Sequence, residues 1–340
     1  MKRILIHCLV AAALLVIMNW VYARSFYRDD LLKHSDIVEA SWQVAADRCE
    51  LVYLGESSNK TYGNTDKDHR KISEMIADYF PEMRCGDITK EASHAEIYYY
   101  LLKNIPDDNQ IKTVIVTMNL RSFGANWIYS SLETALQKKL VMMKGYPPLL
   151  GRALLAFKAY PIKTKQEWQQ LAARYWKKTP LEFPYPFPYK TVAEWNKAVA
   201  FEGVKDEQGH VDKSLTELTC HFIKNYGFQI KDDNPRIKDF DNIVKLSRDR
   251  GWNLVFNIMA ENTDLAQELT GDDLLFLMRE NANYLVQRYE AMGVTVVNHL
   301  ETVRDKNFID REWPTEHYYE EGRRTIAENT ARALKHQDWR

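Results

Sequence analysis

Three polar points in this chain stand just after short apolar runs, and together they hold the groups that acyl transfer requires. The first lies in Cys49 to Gly63, Cys-Glu-Leu-Val-Tyr-Leu-Gly-Glu-Ser-Ser-Asn-Lys-Thr-Tyr-Gly. Leu51, Val52, Tyr53 and Leu54 form a β-forming run that stops at Gly55, as a buried parallel strand stops at a turn. In open α/β sheets ligands bind beyond the carboxyl ends of the strands, which puts Glu56, Ser57, Ser58 and Asn59 where a substrate would lie. Ser57 is the candidate nucleophile, although Ser and Asn at such a place also suit a helix N-cap. The second point is Asn119-Leu120-Arg121-Ser122, after the apolar run ending at Met118. The third is Phe308 to His317, after the last apolar run. Acyl transfer needs a hydroxyl, a base to take its proton, and donors aimed at the developing oxyanion. His317 is the natural base.

The elements that must position these groups read as an alternating βα chain. Met83 to Ile88, Lys112 to Met118, Trp252 to Met259 and Val294 to Val297 read as further strands. Asp68 to Phe80, Ser93 to Leu102, Ile243 to Arg250, Leu274 to Met292 and Tyr319 to Lys335 space their apolar residues at three and four, the helical period. The expected fold is α/β, a doubly wound and mostly parallel sheet. Residues 124 to 239 break the rhythm as an insertion, helical in Leu132 to Met143 and Gln166 to Lys177. Within it, Thr179-Pro-Leu-Glu-Phe-Pro-Tyr-Pro-Phe-Pro-Tyr189 must be extended, because four prolines forbid a helix or a central strand. Trp127, Trp168, Trp176, Phe183, Tyr185, Phe187, Tyr189 and Trp195 gather in this insertion. It reads as a cap over the active edge of the sheet, its aromatics either the insertion's own core or faces for sugar rings.

Residues 1 to 24 are a membrane anchor or a signal peptide. Lys2 and Arg3 precede Ile4 to Ala23, about twenty mostly apolar residues, enough to span a hydrocarbon core. Trp20 and Tyr22 near the far end suit an interfacial belt and favour the anchor, while Val21-Tyr22-Ala23 resembles a cleavage site. The two leading cations favour an N-terminus in the cytoplasm, against the weaker pull of Arg24 and Arg28 beyond the apolar run, so the globular part is expected outside. Residues 25 to 48 form a helical connector, and 49 to 340 the α/β domain with its insertion. Export permits disulfides, and Cys49 with Cys85 is a candidate pair if their strands are neighbours; two unpaired thiols is the other reading. With 46 basic and 47 acidic residues there is no global field for nucleic acid.

At three short blocks the sequence resembles the SGNH, or GDSL-type, hydrolase family. Gly55-Glu56-Ser57 is similar to that family's Gly-Asp-Ser block, with Glu for Asp. Thr117-Met118-Asn119 resembles the block whose Asn contributes to the oxyanion hole, without its usual Gly and following Asp. His317, with Gly322 five residues on and then Ile326-Ala327, resembles the last block. The resemblance covers Glu50 to Leu334 outside the insertion. It implies a serine esterase or acyltransferase with Ser57, His317 and an acid as catalytic residues, Ser57 N–H and Asn119 holding the oxyanion, and neither cofactor nor metal. The family's acid stands three residues before the His, where this chain has Pro314. Of Asp310, Glu312 and Glu316, the last adjoins His317 and has difficulty folding back onto its neighbour's ring, so Asp310 is the expected partner of Nδ1. The second oxyanion Gly is also absent, and a backbone N–H of Glu91 or Ala92 is its expected substitute.

An anchored, exported chain of this kind looks like the subgroup that modifies cell-surface polymers beside membrane-bound acyltransferases. The resemblance therefore implies action on O-acyl groups of an extracytoplasmic glycopolymer. Its expected partners are an acylated glycan or other ester, the membrane, and a membrane-bound acyltransferase. The alternative is a catalytically degenerate scaffold that binds a polymer or a membrane partner.

Overall fold

A computed structural model of the chain describes residues 1–145 and 147–335. Its N-terminal half runs α1 (Lys2–Ser25), α2 (Tyr27–His34), α3 (Val38–Ala46), β1 (Leu51–Gly55), α4 (Ser57–Lys60), α5 (Ile72–Ala77), β2 (Cys85–Thr89), α6 (Ala95–Lys103) and β3 (Thr113–Met118). The insertion follows with α7 (Ala125–Ile128), α8 (Leu132–Met143), α9 (Pro148–Ala156), α10 (Lys165–Lys178), α11 (Val192–Glu202), the hairpin of β4 (Val204–Lys205) with β5 (Val211–Asp212), and α12 (Lys213–Tyr226). The alternation then resumes with α13 (Pro235–Asp249), β6 (Asn253–Ile258), α14 (Thr263–Thr270), α15 (Asp272–Ala291), β7 (Thr295–Asn298) and α16 (Glu320–Lys335).

The main sheet has the order β2-β1-β3-β6-β7, with every pairing parallel. Its central strands β1 and β3 are buried along their whole length, and the edge strands only in part. Both faces are therefore covered, as a parallel sheet requires. Side chains alternate across it: Leu51, Tyr53, Ile115 and Val255 meet Ile72, Ile76, Ile326 and Ala327 of α5 and α16, while Val52, Leu54, Val114 and Val116 join the larger core under α6, α13 and α15. The chain leaves β1 toward β2 on one side and β3 lies on the other, so the order reverses between β1 and β3. A doubly wound sheet opens its ligand crevice at that reversal.

Several elements differ from the sequence pattern, each for a local reason. The connector is two helices, because the chain breaks around Ser35, whose hydroxyl donates to the Lys139 carbonyl (2.6 Å). The helix expected over Asp68 to Phe80 shrinks to α5, since Asp66 and Asp68 are held outside it by Arg323 and Arg324. The helix expected from Ile243 begins at Pro235, with Asn234 as N-cap accepting from Arg236 N–H (3.0 Å) and Pro at its first position. Helices α7, α9, α11, α12 and α14 and the β4–β5 hairpin lie outside the elements read from the sequence. Cys49 and Cys85 are free thiols; Cys49 Sγ packs on Gly86, the neighbour of Cys85.

The aromatic insertion divides in two. Phe183, Phe187, Tyr189 and Trp195 pack on one another, and Phe183 with Tyr185 on Phe276 of α15, so the proline-rich stretch lies against the core through half-buried rings, with Trp195 buried beneath them. Trp127, Trp168 and Trp176 instead line a cavity. Helix α1 has no buried residue and is long and apolar enough to cross a membrane or to serve as a signal.

Candidate functional site

Ser57 is the first residue of α4, immediately beyond the carboxyl end of β1. The turn is tight: a Cβ on Gly55 would stand 2.8 Å from the Tyr53 ring and 3.1 Å from Asn59 Cβ, so only Gly fits. Glu56 is the N-cap, its Oε2 accepting from Ser58 N–H (3.2 Å). Buried Asn59 fastens the turn to its neighbours, accepting from Ser73 N–H (2.9 Å) and donating to Thr89 Oγ1 (2.7 Å). The hydroxyl of Ser57 is thus presented by a fixed backbone, while Ser58 is fully buried.

Asp310 and His317 belong to one loop whose base is closed by an antiparallel bridge between Phe308 and Tyr318. Ile309 N–H donates to the His317 carbonyl (2.9 Å), so the chain doubles back and brings Asp310 beside the imidazole across seven residues. His317 Nδ1 lies 2.7 Å from Asp310 Oδ2, and His317 Nε2 lies 2.9 Å from Ser57 Oγ. Thr315 Oγ1 also donates to Asp310 Oδ2 (2.8 Å) and holds the carboxylate in place. The structure therefore brings Ser57, His317 and Asp310 into one hydrogen-bonded row. Gly322 lets α16 pack close behind it, since a Cβ there would stand 3.0 Å from Tyr318 Cβ.

Asn119 follows β3. Because β1 and β3 are parallel neighbours, the turn that carries Asn119 leaves the same end of the sheet as the turn that carries Ser57. Its carbonyl is pinned by Ser122 N–H (3.0 Å) and Ser122 Oγ (2.6 Å), and its Oδ1 is buried with no hydrogen-bond partner among the described residues. On the other flank, Lys90 N–H donates to the Gly55 carbonyl (3.0 Å), which ties the turn at Glu91 and Ala92 to the end of β1. Ala92 has φ of 58°, a left-handed conformation that Gly ordinarily supplies.

Glu316 does not approach the imidazole. It is fully buried and forms a forked ion pair with Arg121, Nε to Oε1 at 2.6 Å and the second contact from Nη2 to Oε2. Arg121 sits in the turn after β3, so this pair joins the Asn119 turn to the His317 loop. Beside it, Glu261 accepts from Tyr226 Oη (2.6 Å). Burial, and then the adjacent Glu316 carboxylate, push Glu261 well above the ordinary carboxylate range, and the Arg121 guanidinium opposes that shift. The sequence signal for Arg121 was its place two residues after Asn119. Nothing local marked Glu261 or Tyr226.

A cavity of about 470 Å³ is walled by Trp127, Trp168, Trp176 and Trp313 with Arg121 and Lys224; it reaches the His317 loop through Trp313 and Arg121, and Ser57, Asp310 and His317 do not line it. Trp313, from the His317 loop, packs against the His221 ring in a tilted arrangement, at a centroid distance of 3.9 Å and an interplanar angle of 49°.

No family model matches the chain, and no curated protein is similar to it. Among solved structures it aligns with a lipase/acylhydrolase from Enterococcus faecalis at 10% identity, covering 84% of this chain and 95% of that one with a TM-score of 0.35. A second structure aligns at 10% identity over 86% and 98% with a TM-score of 0.32. At such scores neither likeness bears on function. The class is defined by the chain's own sheet order and site: a parallel α/β protein with a Ser–His–Asp row at the reversal of its strand order.

Proposed function

We propose that the chain is an SGNH-type serine esterase or acyltransferase acting on O-acyl groups of a glycopolymer outside the membrane. The row Asp310–His317–Ser57, at 2.7 and 2.9 Å, carries this reading. Ser57 Oγ attacks the ester carbonyl while His317 Nε2 takes its proton; Asp310 holds the imidazole in the tautomer that leaves Nε2 free and stabilises the cation that forms. The Ser57 N–H and Asn119 hold the oxyanion. His317 then returns the proton to the departing sugar oxygen, leaving the acyl group on Ser57. Water or a second hydroxyl, deprotonated by His317, releases it.

The glycan part of the reading is supported by the Trp-walled cavity sharing Trp313 with the catalytic loop, since flat aromatic faces in a concave site suit ring substrates. The extracytoplasmic part is supported by Lys2 and Arg3 ahead of α1.

The scaffold reading draws on one contact. Ser57 Oγ is also 2.8 Å from Glu56 Oε2, so its single proton has two acceptors. A fluorophosphonate probe separates the readings: labelling that is lost in Ser57→Ala supports the enzyme, and no labelling of the intact chain supports the scaffold.

A further inference from the structure

Helix α9 stands apart from the rest of the insertion. Its only charged residue, Arg152, is paired with Asp30 (Nε to Oδ2 3.0 Å), and its only buried residue is Gly151, where a Cβ would stand 3.1 Å from the Val141 carbonyl oxygen. That side lies against α8. Leu150, Leu154 and Phe157 recur at four and three residues and so share another stripe; Leu150 is 48% exposed and Phe157 83%.

The start of α9 is fastened to α1. Leu149 N–H donates to Asn19 Oδ1 at 3.0 Å, and the two helices pack together. Asn19 lies seventeen residues past Lys2, about 26 Å along a helix, against a hydrocarbon thickness of about 30 Å. With Lys2 and Arg3 at the cytoplasmic surface, Asn19 reaches the boundary between acyl chains and headgroups on the side of the domain, and α9 begins at that depth. Around it, residues 134–166 hold seven basic residues and no acidic one, with Lys138 and Lys158 exposed.

We propose that α9 with Phe157 is a second membrane contact, a short helix lying in the plane of the interface. Leu150, Leu154 and Phe157 enter the acyl region, and the neighbouring lysines lie over anionic headgroups. The occupant of this face is the bilayer surface itself, because the face continues directly from the spanning helix. The proposal rests on α1 being retained, and not on catalysis. The domain is then held against the membrane at a fixed tilt instead of swinging on a tether.

The test places a photoreactive phenylalanine analogue at position 157 of the full-length chain, reconstituted in vesicles of phosphatidylethanolamine and phosphatidylglycerol. A control chain carries it at Phe201, which is 91% exposed on α11. Position 157 should give at least about tenfold more lipid adduct than position 201. Equal yields, or adducts at 157 to a second copy of the chain, overturn the proposal. Omitting phosphatidylglycerol should lower the yield at 157 severalfold, and an unchanged yield removes the role given to the lysines.

Discussion

At the residue scale, the site depends on which groups meet across a few ångströms. Ser57 is presented by a turn and buries little, so Ser57→Ala should lower ester turnover by at least about a hundredfold while leaving the thermal midpoint unchanged. Ser58→Ala should do less. Because Asp310 alone meets Nδ1, Asp310→Asn should cost on the order of 10⁴ in kcat, the effect seen when a triad acid is lost, whereas Glu312→Gln should leave kcat within a few-fold. Comparable losses in the two variants would remove Asp310 from its role. Asp310 was legible because Pro314 holds no carboxylate and Glu316 adjoins the ring. The destination of Glu316 was not legible, since its partner Arg121 lies 195 residues away.

At the element scale, the His317 loop is placed by two devices, the Phe308–Tyr318 bridge at its base and the buried Arg121–Glu316 pair at its shoulder. Breaking a buried pair strands a charge, at a cost of about 3–5 kcal/mol, whereas replacing both partners with apolar groups of similar volume is often neutral. Arg121→Met and Glu316→Leu singly should each lower the unfolding midpoint in denaturant strongly, and the double variant should recover most of the loss. Additive losses would show that the pair is not the tie. Arg121 also lies over the Trp127 ring at 5.0 Å and lines the cavity, so the single variants should raise KM as well.

At the scale of the whole molecule, the βα order and the reversal between β1 and β3 put the Ser57 turn and the Asn119 turn side by side. The same close packing leaves His299 fully buried, and desolvation depresses its pKa to about 3. The unfolded chain binds that proton below about 6.5 and the folded chain does not, so stability should fall as pH drops from about 6.5 to about 3, by about 1.4 kcal/mol for each pH unit. His299→Gln should flatten that slope in pH-dependent unfolding; an unchanged slope would assign it to other groups. The sequence by itself determined the five strands of the main sheet, most of the longer helices outside the insertion, the apolar N-terminal segment and the three polar points, because apolar periodicity, glycine stops and proline breaks act within a few residues. Only the tertiary structure decided the strand order, the division of the aromatics between a half-buried cluster and a cavity, the withdrawal of Glu316 to Arg121, and the docking of α9 on α1. Each of those is a contact between segments far apart in the chain, chosen by which faces can be buried together, and local pattern carries no record of that choice.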